Sequence, residues 1–330
     1  MDGVVLCLNG YDIICSKDGA NTIKLANGGS FTLSDCKGTG RITHTDGLTG
    51  TGVYLDSAGT FTMYGGSISG NSAAEKGGGV YMDRGTFRML GGSVSGNKAK
   101  YGGGVYVYSG VFTLSGGTVS GNSSDEDGAG VYTAGTFNMT GGQIRDNKGY
   151  AGGVLNNGTF NMTGGSIFNN VGTAYGGIAT GSGILNIGGT AKVYYNYKDG
   201  APGTQPRSNV CMLNPESYPI HISGLQSAAK IALNSWTDGI VQGRVTDETL
   251  GCFSLDDPNL GVLYVENEQL KKLPAHYHCV CGAEHTVSGS HTAANLQTFT
   301  PWESEDSLPT EAGYYHLTKD VTLSETWKPK

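Results

Sequence analysis

The chain is short of charge and of long apolar runs. Only 15% of its 330 residues are charged, and the formal net charge is −7 with a pI near 5.5. With no basic excess to neutralise phosphates, a nucleic-acid partner is excluded. No stretch reaches the length of a spanning helix, and no basic run or amphipathic anchor marks a membrane surface, so no membrane insertion is expected in this segment. The opening MDGVVLCLNG lacks the charged region that precedes the apolar core of a signal peptide. It reads as the inside of a strand, which makes the chain an expected piece of a longer protein and leaves secretion open.

Cysteine is equally unhelpful as a framework. The seven, Cys7, Cys15, Cys36, Cys211, Cys252, Cys279 and Cys281, are odd in number and irregularly spaced. The first five read as small buried hydrophobes in β-rungs, with disulfides as the alternative. No Ser-His-Asp or Cys-His constellation can be assigned, and a lone histidine such as His44 or His221 says little.

What the chain has in abundance is glycine, 56 residues without a collagen period, and a sentence repeated six times between Gly52 and Asn196. Phe61, Phe87, Phe112, Phe137, Phe160 and Leu185 recur at steps of 26, 25, 25, 23 and 25 residues. Two successive copies read GGGVYMDRGTFRMLGGSVSGN and GGGVYVYSGVFTLSGGTVSGN. A fixed period in the twenties, built from short alternating runs and turn residues, predicts a solenoid of β-strands. Three strands per coil of about 25 residues, each stacked on its equivalent about 4.8 Å away, predict an all-β parallel β-helix, right-handed by the crossover rule.

The alternation also predicts what lies inside. Val53, Val80, Val105, Val131, Val154 and Ile178 form one inward column. The phenylalanines with Met63, Met89, Leu114, Met139, Met162 and Ile187 form a second, and Ile68, Val94, Val119, Ile144, Ile167 and Val193 a third. Asn71, Asn97, Asn122, Asn147, Asn170 and Asn196 fall at a turn, where stacked amides can bond one another and where asparagine tolerates left-handed torsions.

Along the chain, VVLCLNG, YDIICS, NTIKLA and GSFTLSDC read as opening rungs and Thr43–Gly52 as a loop. The regular coils cover 52–196. YKDGAPGTQPRSN is a protruding loop, and irregular end rungs occupy 210–265, at Val210–Leu213, Ile220–Ile222, Lys230–Leu233, Gly251–Leu255 and Val262–Val265. The solenoid is thus expected over 1–273. Residues 274–330 form a Cys/His segment followed by two short strands, with the charged run Glu266–Lys272 and Pro274 at the boundary.

Four places could carry chemistry or binding. Cys279, Cys281, His285 and His291 offer two thiolates and two imidazoles for a structural zinc, with His276 and His278 in reserve, although C-x-C is tighter than the usual knuckle; a Cys279–Cys281 disulfide or free thiols are the alternative. Asp56 and Asp83 occupy the same outward point of adjacent coils, about 5 Å apart, as a retaining glycosidase requires; polar strand ends on a solvated face, or neutralisation by Arg84 and Arg88, are the plainer reading. Asp125, Glu126 and Asp127 could bind calcium or form a solvated loop. Out of phase with the valines, Tyr54, Tyr81, Tyr106 and Tyr132 should line an outer face that can stack on sugar rings or anchor a protein, or simply on one another.

Repeats such as GGGVYVYSGVFTLSGGTVSGN resemble the right-handed β-helix repeats of large cell-surface and secreted proteins of anaerobic gut bacteria, similar in pattern to polymorphic outer-membrane-protein-like and pectate-lyase-like adhesins. The resemblance covers nearly the whole chain. It implies an extracellular array of tandem units, of which this chain holds one cut out of phase. The segment Tyr314–Trp327 then corresponds to the lead-in of Val4–Cys36. On that basis each chain is expected to offer tail strands to the N-terminal rung of another copy, a head-to-tail contact that builds filaments; a tail folded back on its own chain is the alternative. The expected function is non-enzymatic: a secreted or cell-surface adhesin-like protein binding a host or bacterial surface glycan or protein. The alternative is a glycan-active enzyme, a glycoside hydrolase or polysaccharide lyase, working through Asp56 and Asp83.

Overall fold

Val80–Met82, Thr86–Met89 and Ser93–Ser95 make three sides of one coil, and each pairs in parallel with its counterpart one coil on, Val105–Val107, Val111–Leu114 and Thr118–Ser120. Val80 stands directly against Val105 in register. The computed structural model describes residues 3–26, 28–199, 206–237, 239–257 and 260–273, together with the backbone of the short strands His278–Cys279, Leu296–Gln297, Thr300–Trp302 and Tyr315–Leu317. Over the first five stretches the chain is a parallel β-solenoid. Its second face is one ten-stranded sheet running from Gly3–Cys7 to Val241–Gln242. The first and third faces merge near the C-terminal end, where Val210 pairs with both Ile178 and Leu233.

All three predicted inward columns are buried. The phenylalanines stack ring on ring at 4.8, 4.9, 4.8 and 4.5 Å from Phe61 to Phe160, and Phe31 extends the stack below Phe61 at 5.5 Å. That pitch is the spacing of neighbouring strands, so the backbone ladder itself sets the rings in offset contact. Each buried ring contributes roughly 1.5–3 kcal/mol relative to exposure.

The asparagines form a ladder that runs one way. In each coil the backbone N–H and the Nδ2 of one asparagine donate to the Oδ1 of the next, from Asn71 through Asn97, Asn122, Asn147 and Asn170 to Asn196. Nδ2 also donates to a carbonyl of the coil before, as Asn97 does to Ile68 and Asn122 to Val94. The left-handed torsion lies one residue earlier than expected, at Gly70, Gly96, Gly121, Asp146, Asn169 and Tyr195. The asparagine is therefore held for its amide, and its predecessor makes the turn.

Three details differ from expectation. A fourth, short side joins the asparagine corner to the next coil as a five-stranded sheet from Lys98–Ala99 to Tyr197–Lys198. Segments such as KA and SS are too short to show alternation. Thr43 and His44 belong to the strand Arg41–His44 and are buried, although a polar, turn-rich sequence reads as loop. Val262–Glu266 is not a rung: it pairs antiparallel with Gln269–Leu273, so the charged run read as a boundary is half of a hairpin.

That hairpin, with the helical turn Asp247–Leu250, closes the C-terminal end by burying Leu250, Leu263 and Leu270. The other end differs. Gly3–Cys7 pairs only with Ser30–Ser34 among the described residues, and Val4, Val5 and Ile14 are 63%, 66% and 56% exposed. In the tail, Tyr315–Leu317 pairs in parallel with Thr300–Trp302; the second strand expected there lies outside the described residues.

Candidate binding face

Register carries one outward column through the first face: Lys24, Tyr54, Tyr81, Tyr106, Tyr132, Leu155, Ala179 and Cys211. The four predicted tyrosines do meet. Tyr54 stacks on Tyr81 at 5.0 Å and Tyr106 on Tyr132 at 4.6 Å, the two pairs joined by an edge-on contact of 5.5 Å between Tyr81 and Tyr106. Tyr54, Tyr81 and Tyr132 are half-buried, whereas Tyr106 is 5% exposed. Burial, then neighbouring tyrosines, pushes the Tyr106 hydroxyl far above the ordinary phenol range.

Cations and the fourth side flank this column. Lys24 lies 5.3 Å over the Tyr54 ring, and Lys76 5.3 Å over Tyr106 and 5.7 Å over Tyr108. Tyr101 meets Tyr132 edge-on at 6.4 Å. Beyond Tyr132 the column narrows to Leu155 and Ala179, which pack with Ala151, Tyr132 and Tyr175 in a small apolar cluster outside the core. The sequence pattern pointed to the tyrosines but not to this covering, which comes from the unpredicted fourth side.

Asp56 and Asp83 follow equivalent strands and both face the tyrosine column. Burial first, then these two carboxylates, raises the Tyr54 hydroxyl. Asp56 is ion-paired with Lys24 at 2.8 Å instead of with Arg84 or Arg88. In the acidic loop, Asp125 pairs with Lys98 at 3.0 Å and Glu126 with Lys100 at 3.2 Å, one coil back in each case. Asp127 is half-buried, and burial followed by the Glu126 charge raises its carboxyl. No group of three or more metal-ligating side chains lies together among the described residues. Cys281, His285 and His291, and the side chain of Cys279, lie outside them, as do His276 and the side chain of His278.

The sequence reading missed a concavity on another part of the solenoid. A cavity of about 360 Å³ near the C-terminal end is lined by Lys192, Tyr194, Arg207, Lys230 and Ser254. Register stacks Lys192 on Lys230, and Arg207 lies 5.1 Å over the Tyr195 ring. The three side chains make this lining cationic, and the Arg207 charge also reaches the Asp256 carboxyl. The signal was the YKDGAPGTQPRSN insertion, which carries Arg207 to stacked lysines 38 positions apart.

The cysteine reading holds for Cys211 and Cys252, which are buried, and burial pushes the Cys211 thiol up to about 11. It fails for Cys7 and Cys15, which are half-buried, and for Cys36, which is exposed. These three sit in or beside the first coils, the least enclosed part of the described solenoid.

Comparison of the chain with protein-family models, curated proteins and solved structures found no match.

Proposed function

We propose that this solenoid is a non-enzymatic, adhesin-like binding scaffold of a secreted or cell-surface protein, presenting the tyrosine face to a surface glycan or protein. The observation that carries the reading is the tyrosine column itself: stacked rings with lysines over Tyr54 and Tyr106, held at the pitch of the β-ladder. Half-buried tyrosines give a partner large, rigid, amphipathic contact at small entropic cost. The repeat's likeness to surface β-helix proteins supports the location.

Asp56, neutralised by Lys24 at 2.8 Å, is better suited to orienting the Tyr54 hydroxyl than to acting as a glycosidase carboxylate. The N-terminal edge supports head-to-tail assembly with a second copy, because among the described residues Gly3–Cys7 is paired on one side only and its Val4 and Val5 are exposed.

A glycan and protein array read beside a sugar-release assay tests the function. Binding reduced at least tenfold by Tyr81→Ala and Tyr132→Ala, with no release, is the expected result. Release abolished by the Asp56→Asn, Asp83→Asn double change would instead establish an enzyme. Light scattering at rising concentration tests assembly, which Val5→Lys should block; a monomer throughout removes it.

A further inference from the structure

The first coil carries two sulfurs in contact. Cys7 ends the edge strand Gly3–Cys7, and Cys36 follows Ser30–Ser34, the strand paired with it in parallel. Register sets Cys7 against Ser34, two residues before Cys36. The chain then turns so that the Cys7 and Cys36 Sγ atoms lie 2.7 Å apart, well inside the contact distance of two unbonded sulfurs. The Cys36 N–H also donates to the Cys7 sulfur at 3.2 Å.

From this geometry we infer that Cys7 and Cys36 are a cross-linking pair, forming a disulfide that ties the exposed edge strand to the coil beneath it. With the two sulfurs already in contact, the bond closes by a small adjustment of the side chains. The two thiols are also unequal. The side chain and then the backbone N–H of Cys36 hold the Cys7 thiol below the ordinary range, while Cys7 holds the Cys36 thiol above it. The Cys36 N–H directed at its sulfur favours the thiolate on Cys7, which makes Cys7 the attacking sulfur and Cys36 the resolving one. Neither is enclosed, so a small oxidant reaches both.

The oxidant is a low-molecular-weight disulfide. The Cys7 thiolate attacks one sulfur of it, the sulfur–sulfur bond breaks, and one thiolate leaves, giving a mixed disulfide on Cys7. Cys36 loses its proton to solvent and attacks the Cys7 sulfur, expelling the second thiolate. The cysteine pair loses two electrons, and the small disulfide gains them and departs as two thiols.

The link would fix a strand that the described fold supports from one side. Gly3–Cys7 has a partner on one side only among the described residues, and its Val4 and Val5 are exposed, so local opening should begin there. An oxidising environment would thus hold this edge in register, whether or not a second copy docks on it. The cross-link does not depend on the binding role of the tyrosine face.

The test is intact mass and peptide mapping of the full chain after incubation with oxidised glutathione. Trypsin releases Met1–Lys17 and Leu25–Lys37 as separate peptides, so the bond appears as a linked pair without reduction. The link should persist in Cys15→Ser and vanish in Cys7→Ser. Cys36→Ser should instead trap a glutathione adduct on Cys7. On oxidation, hydrogen exchange across Gly3–Cys7 should slow at least tenfold. Alkylation of both Cys7 and Cys36 after the same treatment, a link through Cys15 in their place, or an adduct on Cys7 that Cys36 leaves unresolved, would overturn the assignment.

Discussion

The His44 Nδ1 lies 2.8 Å from the Asn71 Oδ1, and that contact begins the asparagine ladder. Because the Asn71 Nδ2 donates to Asn97 and to the Ile42 and Ser69 carbonyls, its Oδ1 is the atom turned to the histidine. His44 Nε2 meets a second oxygen, the Ala20 carbonyl, at 2.8 Å. At the far end Asn196 donates to Asn209, whose N–H and Nδ2 both donate to the Asp256 carboxylate. A donor ring opens the ladder and an acidic acceptor closes it, with every amide dipole aligned between them.

A break in the middle should therefore cost more than one hydrogen bond. Asn122→Ala leaves the buried N–H of Asn97 without its acceptor, takes one of two bonds from the Nδ2 of Asn97 and from the Oδ1 of Asn147, and removes the Nδ2 donor from the Val94 carbonyl. One orphaned buried donor at about 1–3 kcal/mol, with a bond lost from each of three further groups, puts the loss at about 2–4 kcal/mol. His44→Ala removes only the first link, so its effect should stay near the N-terminal coils, since each coil of a solenoid contacts only its neighbours. Denaturant midpoints compare the two variants. Exchange of individual amides shows whether disruption spreads from the middle in one and stays at the end in the other.

Asp256 gives the ladder a pH dependence whose sign follows from its burial. Burial raises its carboxyl above the ordinary 3.8, and the donors of Asn209 oppose that rise without cancelling it. Above pH 3.8 the folded chain retains a proton that the unfolded chain has lost, so stability from this group is greatest at low pH and is lost as pH rises through the folded value. Asp256→Asn keeps an oxygen for Asn209 and has no charge to bury. The variant should match the parent in acid and become the more stable of the two as pH rises toward neutrality. Thermal unfolding of the pair from pH 3 upward checks this; parallel curves would show that the carboxyl is not buried in solution.

The periodic part of this fold was legible because each inward position repeats one physical demand. Val80 and Val105, or Phe87 and Phe112, have the same neighbours in successive layers, so spacing alone places them. The ends were less legible, because the demand there is made once. Nothing adjacent in sequence marks His44 as the cap of a ladder, or Asp256 as its other end 47 residues from Asn209. The tyrosine face lay between these cases: its rings were foreseen, while the lysines and the fourth side that partly cover them were not.

Two glycines of neighbouring coils should respond oppositely to a side chain. Gly104 leads into the first strand, and a Cβ there would lie 2.6 Å from the Gly130 carbonyl oxygen and 2.9 Å from the Asn122 Nδ2. Both belong to the rigid stack, so Gly104→Ala must push adjacent coils apart, at about 1–3 kcal/mol. Gly96 turns the corner at φ +62° with nothing within 4 Å of a built Cβ. Asp146 and Asn169 hold the same left-handed position in later coils, so Gly96→Asn should cost only a few tenths of a kcal/mol. Equal losses in chemical denaturation would show that torsion, not the closeness of neighbouring coils, governs these positions.

The tyrosine column makes a spectroscopic prediction independent of any ligand. Ionising a phenol inside a stack places a charge among rings and against its neighbours, and burial is the first cause of the rise at Tyr54, Tyr81 and Tyr106. Alkaline titration of the 18 tyrosines by ultraviolet absorbance should therefore show a late component, attacked only as the coils open. Tyr106→Phe keeps the stack on Tyr132 and the cover of Lys76, and should remove the last part of that component with little change in stability. Tyr106→Ala should cost about 3–5 kcal/mol, because it empties a site closed on every side and separates the two stacked pairs. If Tyr106→Phe leaves the late component intact, the hydroxyl is solvated, and the lysine side does not cover the column as the structure has it.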